Sequence, residues 1–226
     1  MCFSSTISFS TAAALIPLGI YGANLAWQRN PQYITLAFIP LMFGLQQLME
    51  GFVWHYSHAG NEEAMLTYGR GFTFFSHFFW LFWIPLTAWL LETEIRRKKV
   101  FFIITIAGFI SGLWVYIPLL QDGYLEISII EHSIYYETHI VTHEVISKNI
   151  LRLGYAIIVL APLLLSSTKI LGNYGVLTAV SIAVTFLFYQ YAFVSVWCFF
   201  AAFLSSYIVY QLIRSTGPIT IKNTGR

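Results

Sequence analysis

The sequence predicts an all-α polytopic membrane protein, a bundle of seven transmembrane helices. Three observations predict it: the composition, the length of the apolar runs, and the alternation of basic residues between them. Of 226 residues, 58% are hydrophobic and only 10% charged, against roughly 25% charged in a soluble domain. The mean hydropathy is +0.69. Seven runs approach the roughly 20 apolar residues that cross a hydrocarbon core about 30 Å thick.

The expected spans are 7–27, 33–56, 71–91, 100–120, 150–167, 173–191 and 193–213. Inside lipid the backbone must satisfy its own hydrogen bonds, so each run reads as a helix. Pro17, Pro40, Pro85, Pro118 and Pro162 read as kinks or helix ends. The last two spans are separated by almost nothing, around Tyr191 and Ala192, which calls for a tight hairpin. The chain reads as a single domain over 1–226, with no repeat and no low-complexity linker.

Orientation follows from lysine and arginine. Arg29, Arg96, Arg97, Lys98, Lys99, Lys169, Arg214, Lys222 and Arg226 fall on alternate connections and the tail, which makes nine of the twelve basic residues cytoplasmic. The N-terminus is then outside and the C-terminus inside. Residues 1–20 lack the basic start of a signal peptide, and the apolar run continues to Trp27, so the first span is expected to be kept. A bacterial inner membrane is the expected location. The external connection 121–149 is the longest. Asp122-Gly123 marks a turn, and the β-branched and aromatic residues after it favour extended chain or a short hairpin over the bundle mouth, while the stretch with His139 and His143 four apart reads equally as a short interfacial helix entering the fifth span.

Within LQQLMEGFVWHY (45–56) stands one carboxylate, Glu50. An ionised side chain near mid-bilayer costs at least about 2.5–3.5 kcal/mol, so it should face the bundle interior and have a partner. Gln46 or Gln47, Glu50 and Trp54 recur at helical spacing as one inward stripe. His77 in the third span, with Thr73 and Trp80 on its face, comes to a comparable depth, roughly 8–10 Å below the outer surface. Trp197 and Cys198 fall in the first two turns of the seventh span, and Cys2 at the external N-terminus. All six histidines and both cysteines occupy the outer half.

These residues support two readings of different class. In the first, Glu50, His77 and His132 hold zinc or another transition metal, with Cys2 and Cys198 as further candidate ligands, and an open position lets the metal lower the pKa of a bound water towards about 7. The protein is then a metal-dependent hydrolase of a lipid or other membrane-soluble substrate, with Glu50 alternatively the general base and Tyr135 or Gln47 orienting substrate. In the second, a non-enzymatic outer pocket walled by Trp54, Trp80, Trp83 and Trp197 binds or senses a metal or a small apolar ligand. Transport is less favoured, because below Glu50 the spans carry little polarity beyond Asn24, Thr35, Ser111 and Thr178. Cys2 and Cys198 could be bridged, free or ligands. His55, His58, His139 and His143 read as solvated loop residues. The Gly108 and Gly112 pair, and Gly175, Ala179 and Ala183, read as close-packing faces. No phosphate-binding glycine motif is present, no nucleic-acid partner is expected, and the seventh span has no lysine for a retinal Schiff base.

Four blocks, MCFSSTISF at 1–9, PLMFGLQQLMEGFVW at 40–54, EHSIYY at 131–136 and SVWCFFAAFLSSY at 195–207, together resemble an uncharacterised group of bacterial seven-span membrane proteins opening Met-Cys-Phe-Ser. The resemblance covers nearly the whole length and implies an architecture rather than a reaction. A more distant likeness, of topology alone, is to membrane hydrolases similar to alkaline ceramidase. Their pattern supplies paired histidines from the last helix, and the seventh span here has none.

Overall fold

A computed structural model describes residues 4–130, 133–139, 148–189 and 192–215. Cys2, Glu131, His132, His143 and the 190–191 connection lie outside them. Helix α1 spans Ser5–Arg29 and α2 Ile34–His58, joined by a 3-10 turn at Pro31–Tyr33. Then α3, Glu62–Thr73, runs through a π-helical turn, Phe74–Phe79, into α4, Trp80–Leu91. Helix α5 is Ile95–Tyr116, followed by a 3-10 turn, Ile117–Leu120. Strands β1, Leu125–Ile130, and β2, Ser133–Thr138, precede α6, Lys148–Leu165, α7, Lys169–Phe188, and α8, Phe193–Ser215.

Among the described residues, six helices are long and apolar enough to cross a membrane, and a seventh, Ile150–Leu165, is apolar but shorter. This is an all-helical membrane bundle. Every expected span coincides with a helix, but the third begins about two turns early. The segment from Glu62, expected as loop, is helical because Asn61 caps it, its side chain accepting from the Ala64 N–H, and Glu62 and Glu63 lie in its first turn. Pro17, Pro40, Pro85 and Pro162 lie inside helices, and Pro118 sits where α5 tightens and ends.

Close approach decides how the helices pack. A Cβ on Gly19 would strike the Leu41 backbone, so α1 and α2 meet closely at that point. One on Gly108 would strike the Leu81 carbonyl oxygen, which fixes α4 against α5 as the small-residue spacing suggests. In α7 the buried stripe is Leu171, Tyr174, Gly175, Thr178, Ser181 and Thr185. Gly175 lies on it, whereas Ala179 is only half-buried and Ala183 is exposed. The outward face of α5, including Ile103, Ile106, Ile110 and Ile117, is exposed and apolar, as a lipid-facing surface must be.

Strands β1 and β2 form the expected hairpin, antiparallel, with Leu125 opposite Thr138 and Ile127 opposite Tyr136. Gly123 takes φ +82, the left-handed conformation that Asp-Gly turns favour. The hairpin packs on the bundle. Leu125, Ile134 and Tyr136 join Val53, Trp54, Phe72 and Cys198 in one apolar cluster, and Tyr136 stacks on Phe72 with centroids 4.6 Å apart. At the same end Arg70 donates to Asp122 at 2.8 Å and to the Leu119 carbonyl at 3.2 Å.

The opposite end is clasped by Glu92, which is 1% exposed. Its carboxylate accepts from the N–H groups of Thr93, Glu94 and Ser167 and from the Ser167 hydroxyl, joining the α4–α5 turn to the α6–α7 turn. Burial pushes this carboxyl up, but the hydrogen bonds from Ser167 and the backbone together outweigh it and hold it below its ordinary value. A folded pKa below the unfolded value of about 4.3 means stability that is complete above that value and lost as pH falls through the folded pKa. Glu92→Ala is therefore expected to cost about 1.5–3 kcal/mol at neutral pH. The wild-type advantage over Glu92→Gln should shrink below about pH 4, read from thermal unfolding in detergent across pH.

Candidate functional site

Glu50 lies eight residues before the end of α2 and has no solvent exposure; Gln46 and Gln47 are equally buried. The stripe expected from helical spacing does face inward. Glu50 Oε1 accepts from the Ser195 hydroxyl at 2.6 Å, and Oε2 accepts from Gln47 Nε2 at 3.0 Å. Ser195 stands in the first turn of α8, so the carboxylate ties α2 to α8. One turn below, Gln46 Oε1 accepts from the Trp80 indole at 2.7 Å, and Trp80 stacks on Phe43 at 3.9 Å. Two amide atoms, Gln46 Nε2 and Gln47 Oε1, are buried without a hydrogen-bond partner. Glu50 and Ser195 also make contacts beyond these.

His77 sits on the π-helical turn. There the Trp80 N–H reaches back to the Phe75 carbonyl, the wider register that gives such turns their extra residue and that often marks functional positions. Its Nδ1 is 2.9 Å from the Ser76 hydroxyl. His77 is half-buried and forms part of the wall of a cavity of about 430 Å³ together with Tyr135, Arg152, Tyr155, Trp197 and Cys198. This cavity lies under β2 and between α5, α6 and α8. Tyr155 and Trp197 meet edge to face at 5.2 Å. The Tyr155 hydroxyl and the Trp197 Nε1 are both buried without a partner. Arg152 lies over the Phe193 ring at 5.2 Å and makes a further contact.

Cys198 is a free, buried thiol, so it is not bridged. It lies beside Gln46, one turn after Ser195 on α8, and also lines the cavity. Trp54 belongs to the apolar cluster under the hairpin, with its indole N–H unpartnered, and Trp80 serves the Gln46 contact rather than the larger cavity. His55, His58 and His139 are exposed, as expected of solvated residues.

The expected metal set Glu50, His77 and His132 includes a residue outside the described ones, as does Cys2. Among the described residues, one group of three potential ligands stands together: Glu126, Glu137 and His139, whose ligand atoms all lie within 4.8 Å of one another. Glu126 and Glu137 are directly opposed in the strand register, and His139 Nε2 is 3.4 Å from Glu126. Glu126 and His139 are exposed and Glu137 is half-buried, and exposed acidic groups commonly stand together without an ion.

A family model for a family of unknown function, DUF6629, matches residues 1–223. The chain belongs to that family. No curated protein and no solved structure matches it. Membership in DUF6629 agrees with the resemblance drawn from the four sequence blocks at the level of an uncharacterised family, and no comparison links the chain to alkaline ceramidases.

Ser195, Arg152 and Tyr155 were not singled out by sequence. Their roles come from which helices are neighbours. Replacing Glu50 by Leu removes the carboxylate that accepts from Ser195 and Gln47 and is expected to cost about 2–4 kcal/mol, while Glu50→Gln keeps an acceptor for Ser195 and costs less. Thermal unfolding of the two variants in the same detergent checks the order.

Proposed function

We propose that the protein is a non-enzymatic ligand-binding or sensing membrane protein whose cavity takes a small amphiphile from the bilayer. One observation carries the reading: a cavity of about 430 Å³, with mostly apolar walls and a few polar groups, whose side wall is built from residues that face outward. The size falls within the roughly 300–1,000 Å³ of small-molecule sites, and the mixture of apolar lining with sparse polar anchors is what such sites use to bind and orient. Trp114 on α5 and Ile150 on α6 both line it and are 67% and 61% exposed, so the opening lies at the side of the bundle. In a membrane that side meets acyl chains.

With the orientation expected from the basic residues, the cavity belongs to the extracytoplasmic half, beneath the hairpin. The polar groups then meet a ligand's head while its chain stays in contact with lipid. Glu50, in this reading, positions α8 and through it Trp197 and Cys198.

Gly154 supplies the test. It lines the cavity, and a Cβ built on it meets nothing within 4 Å, so Gly154→Phe fills the space without a backbone clash. Organic extraction and mass spectrometry of protein purified in mild detergent should find a hydrophobic molecule retained by the wild type and missing from a Gly154→Phe variant that still unfolds cooperatively. Equal retained content in the two proteins would defeat the proposal.

A further inference from the structure

We infer that the cavity's ligand is an amphiphile with an anionic head, a carboxylate or a phosphate on an apolar chain, and that Arg152 in the cavity wall holds that head. This rests on the ligand-binding reading above and adds the charge of the ligand. Among the described residues that line the cavity, Arg152 carries the one fixed charge, His77 is the other basic group, and no Asp or Glu is present. The acidic side chains nearby have other places. Glu50 is fully buried and held by Ser195 and Gln47, Glu126 is exposed on β1, and Asp122 accepts from Arg70. An anion that enters the space meets positive charge and no carboxylate in the wall.

The guanidinium stands where a head can reach it. Arg152 is half-buried rather than enclosed, and its Cζ lies 5.2 Å over the ring of Phe193, which lines the same cavity. The five N–H donors of a guanidinium lie in its plane, so contact with the ring does not consume them. Arg152 makes a further contact, and a fork of five donors accommodates an anion beside it. A carboxylate or phosphate answers that fork with two oxygens, and such charged bonds are roughly twice as strong as those of an uncharged head. A cationic head is repelled. Depth favours an ionised head as well. Trp114, in the last turn of α5, lines the cavity and is 67% exposed, and tryptophan at a span end sits at headgroup level. The opening between α5 and α6 is thus near the interface. The head reaches Arg152 without crossing hydrocarbon, which spares the cost of carrying a bare charge through an apolar medium, and the chain lies against Leu81, Val115, Ile158 and Ile182 and the lipid beyond them.

The experiment titrates four probes of matched chain length, dodecanoate, dodecyl phosphate, dodecanol and dodecyltrimethylammonium, into the purified full chain in one nonionic detergent, followed by calorimetry against protein-free micelles. At least one anion should bind saturably and about tenfold or more tightly than the alcohol and the ammonium. Preference for the carboxylate points to a fatty acid as the source, and preference for the phosphate to a phospholipid head. Arg152→Gln should weaken the anion by about tenfold or more and leave dodecanol within about twofold of wild type, which a merely structural role for Arg152 would not do. Arg152→Lys, which keeps the charge and loses the fork, should fall between the two, and it replaces the glutamine variant if that one loses dodecanol as well. If dodecanol or the ammonium binds the wild type as tightly as both anions, the anionic assignment is overturned while the pocket stands. Wild-type affinity for the anion in Arg152→Gln, or in Arg152→Lys where that variant replaces it, overturns it too. If no probe saturates, or Gly154→Phe binds all four like wild type, the ligand-binding reading is lost and the assignment with it.

Discussion

A carboxylate that no water reaches must be held by donors, and in this bundle Glu50 is held from two helices. Gln47, on its own helix, fixes one oxygen, and Ser195, on the first turn of α8, fixes the other. The second contact joins segments 145 residues apart in the chain, and it sets where α8 starts relative to α2. Everything on the next turn of α8 follows from that placement. Trp197 faces Tyr155 of α6 and Cys198 lines the cavity.

The hairpin and the π-helical turn build outward from this anchor. Phe72 stacks with Tyr136, so β2 lies over the junction of α3, α2 and α8 and closes one side of the cavity with Tyr135. On the other side the π-helical turn carries Ser76 and His77 into the wall, and α4 resumes with Trp80 bonded to Gln46. The polar groups at the hairpin end of the bundle thus divide between two tasks. Glu50, Gln46, Gln47, Ser195 and Trp80 hydrogen-bond among themselves and hold helices together. His77, Tyr135, Tyr155 and Trp197 line space. At the far end Glu92 makes a second clasp, between two turns rather than two spans, and leaves the cavity end free of it.

Much of the fold is legible in the sequence because lipid imposes it. Apolar runs of sufficient length mark helices, and the cost of burying a charge turns Glu50 inward whatever its neighbours. The hairpin was legible from Asp122-Gly123 and the β-branched run after it. The helix from Glu62 was not, because its charged residues look like loop until the Asn61 cap is noticed. The π-helical turn leaves no mark either: FFSHFF continues an apolar pattern, and the hydrogen-bond register that widens it is a property of the packed backbone. The candidate site was half legible. Glu50, His77, Tyr135 and Trp197 stood out by residue type and depth, but Ser195 is chemically unremarked among small residues, and a cavity is a gap between α5 and α6 that no single segment encodes. Cys2 and His132 lie outside the described residues.

Glu50 and Ser195 act as one unit between α2 and α8. A double-mutant cycle of Glu50→Leu and Ser195→Ala, read from reversible unfolding in mixed micelles, measures that directly. A coupling energy of about 1–3 kcal/mol is the predicted result. Effects that add to within about 0.3 kcal/mol would mean that the two helices are held by something else, and would contradict it.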